Sequence, residues 1–166
     1  MAVFEELLRA NEAFGQRFDR REIPAPPGRR VAVLTCMDAR LHPETFLGLE
    51  IGDAHVIRNA GGRADESAIR SLVISQRLLG TNEVVVIHHE DCGMLTFGND
   101  DLVAKVREDL GADASGIDFL PFSDLNQSVI DDAETLRNSP FIPNDVQIVG
   151  AVYDVRTGKV REVVRK

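Results

Sequence analysis

Residues 31–40 read Val31-Ala32-Val33-Leu34-Thr35-Cys36-Met37-Asp38-Ala39-Arg40, an apolar run that ends in a cysteine and an Asp-x-Arg pair. A second stretch, Val84-Val85-Val86-Ile87-His88-His89-Glu90-Asp91-Cys92, has the same form. Short apolar, β-branched runs of this kind read as buried strands. In an open α/β sheet the carboxyl ends of the strands gather ligands and catalytic groups. The chain has two cysteines, and each follows one of these strands. Two thiolates and an imidazole are three ligands that zinc accepts, which leaves one tetrahedral position for water or substrate. The pattern points to a catalytic zinc site.

The rest of the chain fits around these two strands. Phe4, Leu7, Leu8, Asn11, Phe14 and Phe18 recur at helical spacing, which predicts an amphipathic helix over 3–20, placed as an arm on a partner subunit or packed on its own domain. Pro24, Pro26, Pro27 and Gly28 break it and lead into the first strand at 31–35. Pro43 suits the first position of a short helix after His42. A second strand at 54–57 leads into Arg58-Asn59-Ala60-Gly61-Gly62, and a helix over 65–79 carries Ala68, Ile69, Leu72, Val73 and Gln76 on one face, with Gly80 as its stop. The third strand is 83–88. Helices follow at 100–110 and, capped by Ser123, through Leu125, Val129, Ala133 and Leu136. A fourth strand at 146–153, a turn at Thr157-Gly158 and a returning antiparallel edge strand at 160–164 close the chain. Strands alternating with helices specify an α/β fold with a mainly parallel central sheet flanked by helices.

A chain of 166 residues favours one domain, here 1–166 with the 3–20 arm. A net charge of -8 and no long basic cluster argue against nucleic acid or an anionic membrane as partner. No apolar stretch approaches the roughly 20 residues that span a bilayer, and Glu5, Glu6, Arg9 and Glu12 interrupt anything resembling a signal peptide. With reduced thiols expected, the reading is a cytoplasmic protein.

Either cysteine alone reads as a small buried hydrophobe, and the pair alone as a redox couple. Their shared position at strand exits, with His89 three residues before Cys92, makes the metal reading the stronger one. Neighbouring strand residues face opposite sides, so one of His88 and His89 reaches the metal; His89 has the ligand spacing, and His88 is read as a packed histidine. His42 and His55 are read the same way. A phosphatase loop needs an arginine six residues after the cysteine, where His42 stands, and nucleotide-binding glycine motifs are absent. Gly61 and Gly62, with no side chain to hold a small ligand off, are candidates for substrate binding.

At Cys36-Met37-Asp38-Ala39-Arg40, Arg58-Asn59-Ala60-Gly61 and His89-Glu90-Asp91-Cys92-Gly93 the chain resembles the β-class carbonic anhydrases, in particular their short microbial branch. The resemblance implies zinc bound by Cys36, His89 and Cys92, with Asp38 and Arg40 as a catalytic dyad. In some members the aspartate is itself the fourth ligand, so Asp38 joins the metal set in a closed form only. It further implies a homodimer or homotetramer acting on a small molecule, with reversible hydration of carbon dioxide to bicarbonate and a proton by a hydroxide on the metal. Carbonyl sulfide and carbon disulfide hydrolases are similar proteins with the same ligand set, and a non-catalytic structural zinc or thiol-redox module is a further alternative.

Overall fold

The structure, a computed structural model, describes residues 2–19 and 22–166. The described strands are β1 (Val31–Cys36), β2 (Ala54–Asn59), β3 (Glu83–His89), β4 (Gln147–Tyr153) and β5 (Val160–Arg165). They form one sheet in the order β2-β1-β3-β4-β5. The first four are parallel, and β5 returns antiparallel to β4. This is the α/β architecture expected, including the antiparallel edge. β1 and β3 are neighbours, with Thr35 paired to Ile87, so both cysteine-bearing loops leave the same edge of the sheet.

The helices are α1 (Val3–Gly15), α2 (Pro43–Phe46), α3 (Glu66–Leu79), α4 (Asn99–Leu110) and α5 (Leu125–Asn138). Pro43 occupies the start of α2 as expected. Asp65 caps α3 by accepting a hydrogen bond from the Ala68 N–H, and Gly80 stops it in the left-handed conformation. Two expectations need correction. The helical spacing over 3–20 yields a helix only to Gly15: beyond it, Arg17 and Phe18 bond back three residues in tight turns, and position 20 lies outside the described residues. The cap of α5 is Asp124, whose carboxylate accepts from the Gln127 N–H, in place of Ser123. Both are good cap residues, and the neighbour with the right backbone angle takes the role.

One core lies beneath α3 and α5, where Leu72 and Ala68 meet Leu136 and Ala133 over Ala32, Leu34, Val84, Val86 and Ile148. The opposite face carries Val33, Ile87 and Ala151, with Phe46 stacked on Tyr153. Strand alternation therefore sends Val84 and Val86 to one side and Ile87 to the other. α1 has no buried residue, and its Phe4, Leu7, Leu8 and Phe14 are all exposed. Among the described residues no helix is long and apolar enough to cross a membrane.

Candidate metal centre

Cys36 ends β1, His89 ends β3, and Cys92 follows after one tight turn. The Cys36, His89 and Cys92 ligand atoms all lie within 4.8 Å of one another, and the three residues are buried. The His89 Nδ1 sits 2.9 Å from the Glu90 carbonyl oxygen. A carbonyl only accepts, so Nδ1 carries the proton and Nε2 keeps its lone pair. That Nε2 is buried with no hydrogen-bond partner among the described residues. An orphaned imidazole nitrogen facing two thiols is a donor set that zinc satisfies.

The two thiols and the imidazole shift one another. The hydrogen bond with Cys92 lowers the Cys36 thiol against the opposing effect of burial, aided by His89 and by the Asp38 and Gly61 backbone. The same bond, together with burial, pushes the Cys92 thiol up. Burial by itself depresses the His89 imidazole, but the hydrogen bond and charge of Cys36 outweigh it and raise it.

Asp38 stands beside this cluster with both carboxylate oxygens on Arg40 and one lone pair of Oδ2 still open. Its Oδ1 accepts from the Arg40 backbone N–H at 2.8 Å and from Nε at 3.0 Å; its Oδ2 accepts from Nη2 at 2.8 Å. The Oδ2 is 3.8 Å from His89 Nε2. Bidentate pairing to Arg40 holds the Asp38 carboxyl well below the usual carboxylate range. Arg58, in β2, whose role the sequence does not reveal, donates from Nε to the Cys36 carbonyl at 3.0 Å and from Nη2 to the Asp38 carbonyl at 2.7 Å. It fixes the backbone on which ligand and dyad sit.

The Gly61-Gly62 turn has a physical reason of its own. Gly62 has φ +71°, and a Cβ there would come within 2.9 Å of the Cys36 backbone nitrogen. Only glycine lets the turn press this closely on β1.

The pair His88 and His89 divides as strand alternation requires. His88 is fully buried, with Nδ1 2.8 Å from Ser128 Oγ and Nε2 3.0 Å from Asp132 Oδ2. Asp132 also accepts from Arg63 at 2.8 and 3.2 Å, and Arg63 lies over the Phe122 ring that stacks on His88. Nothing in the sequence marks Arg63, Ser128 and Asp132 as partners. His55 bonds Ser75, in line with its reading, whereas His42 is exposed at the start of α2 and is not the packed histidine expected.

A family model for carbonic anhydrase matches residues 31–160. The chain belongs to the β-carbonic anhydrase family. That match runs from the first residue of β1 to the first of β5 and contains Cys36, His89 and Cys92. The crystal structure of a carbonic anhydrase from Streptococcus mutans superposes with a TM-score of 0.96 at 51% identity, covering 99% of both chains. Beta-carbonic anhydrase 1 of Mycobacterium tuberculosis is 39% identical over 165 residues, 98% of this chain and 99% of that protein. A carbon disulfide hydrolase of Saccharolobus solfataricus is also 39% identical, over 82% of this chain and 78% of its own length. The β-carbonic anhydrase fold therefore carries two named chemistries among relatives of equal identity.

Proposed function

We propose that this enzyme hydrates carbon dioxide reversibly to bicarbonate and a proton on a zinc ion held by Cys36, His89 and Cys92. The observation that carries the reading is the Asp38–Arg40 pair. A structural zinc site takes four protein ligands, yet here the fourth candidate, Asp38, is turned onto Arg40 and leaves a coordination position for water. Zinc, when bound, supplies the Lewis acidity that makes water a nucleophile near neutral pH. The chain's own residues supply the rest. Asp38 Oδ2, ionised and fixed, would accept a hydrogen bond from water at that position and orient it toward carbon. Arg40 keeps Asp38 in that position, and Arg58 holds the backbone of both Cys36 and Asp38. Glu90 holds the His89 proton at Nδ1. The proposal extends to the Gly61-Gly62 turn, which borders Cys36 and with it the approach to the metal.

The S. solfataricus relative supports a second reading, hydrolysis of carbon disulfide or carbonyl sulfide at the same centre. The substrates share a linear shape and an electrophilic carbon, so the ligand set serves either. Zinc-loaded protein assayed in parallel with carbon dioxide, carbonyl sulfide and carbon disulfide separates the readings. We expect carbon dioxide hydration to dominate; turnover of the sulfur compounds alone would replace the first reading with the second, and no turnover of any would leave a structural zinc or thiol module.

The proposal includes a homodimer or larger even oligomer, supported by the exposed apolar side of α1, and one domain spanning 1–166. A cytoplasmic location accords with two unbridged cysteines.

A further inference from the structure

Arg40 has a second carboxylate partner. Asp91, between the ligands His89 and Cys92, has φ +55°, a left-handed conformation uncommon for a residue with a side chain. In that conformation its carbonyl and its carboxylate both meet one guanidinium. Arg40 Nη1 donates to Asp91 Oδ2 at 2.8 Å, and Nη2 donates to the Asp91 carbonyl at 2.9 Å. Together with the bonds to Asp38, this engages Nε, Nη1 and Nη2.

We propose that Asp91 is a positioning residue that locks Arg40 against Asp38, so that the loop after β3 decides whether Asp38 stays off the metal. The proposal rests on the zinc reading above. Asp38 and Arg40 are two residues apart on one turn, and their pairing by itself orients the guanidinium only relative to that turn. Arg40 is a long side chain, 46% exposed, and an isolated ion pair at such a position is weak because holding its rotamers opposes the attraction. Asp91 adds an anchor 51 residues away in sequence, on the loop that carries two of the three ligands. The guanidinium then has one orientation with respect to both loops. Released from it, Arg40 would sample other rotamers and Asp38 would be free to turn toward a cation held by Cys36, His89 and Cys92. The carboxylate of Asp91 is itself 66% exposed, so its share is modest, whereas the carbonyl bond survives a side-chain change.

The test uses the full chain with Asp91→Ala and Asp91→Asn, the latter keeping a neutral acceptor. In metal-free protein, solvent exchange of the Arg40 Nε–H, read by nitrogen-15 NMR, should quicken roughly fivefold in Asp91→Ala, the scale of an exposed ion pair, and less in Asp91→Asn. In cobalt-substituted protein, the visible spectrum of Asp91→Ala should shift toward carboxylate coordination, and the shift should vanish when Asp38→Ala is added. Wild-type exchange at Arg40 together with a wild-type cobalt spectrum in Asp91→Ala overturns the proposal. A spectral shift that persists without Asp38 does so as well, since it would report a distorted ligand loop. Failure of the wild-type chain to bind cobalt or zinc at the cysteines would instead sink the zinc reading, whereas the exchange measurement in metal-free protein tests the Asp91 contact with Arg40 independently of any metal.

Discussion

Asp38 and Arg40 are joined by two side-chain hydrogen bonds, 3.0 Å from Nε to Oδ1 and 2.8 Å from Nη2 to Oδ2, with Asp38 Oδ2 only 3.8 Å from His89 Nε2. The aspartate is thus within reach of the metal position and held from it by its neighbour. Arg40→Ala should retain zinc and lose activity by about 10- to 100-fold, the usual cost of removing a group that orients a metal site. Asp38→Ala should keep zinc and lose rate as well. Metal content and hydration rate measured together check both; wild-type rates in zinc-replete variants would show the pair to be structural.

Zinc binding should strengthen as pH rises. Cys92 is raised, so it holds a proton that the cation must displace, and the raised His89 competes for a proton as pH falls, whereas Cys36 is lowered and needs little displacement. Release of roughly one to two protons on binding is expected near neutral pH. Calorimetry in buffers of different ionisation enthalpy counts these protons, and Cys92→Ser should lose most of the metal because a hydroxyl is a poor zinc ligand.

Asp132→Ala should be severely destabilising. It leaves Arg63, 13% exposed, and His88, fully buried, without their shared carboxylate. Breaking a buried ion pair from one side costs about 3–5 kcal/mol. Urea unfolding of the metal-free variant measures this; a change below about 1 kcal/mol would assign the network no structural weight.

Replacing Phe4, Leu7 and Leu8 with polar residues should lower the assembly state without unfolding the chain, because α1 contributes no buried residue to its own core. Light scattering with circular dichroism distinguishes dissociation from loss of structure. An active wild-type monomer at assay concentration would contradict the oligomer.

The sequence by itself determined the strands, the parallel α/β architecture, the antiparallel edge and the three candidate ligands. These are local: apolar periodicity reports burial, and alternation on β3 separates His88 from His89 whatever lies around them. Helix limits were legible where a cap marks them, as at Asp65 and Gly80, and less so at Gly15, where periodicity outruns the helix. Tertiary structure alone decided how these pieces are held. The order β2-β1-β3 brings the loops after β1 and β3 together, so Arg40 meets Asp91 across 51 residues, and the packing of α5 on the sheet brings its Asp132 to Arg63 across 69. Arg58, the Glu90 carbonyl and the Gly62 turn gain their roles in the same way, because hydrogen-bond partners follow from proximity and burial, which spacing along a chain does not encode.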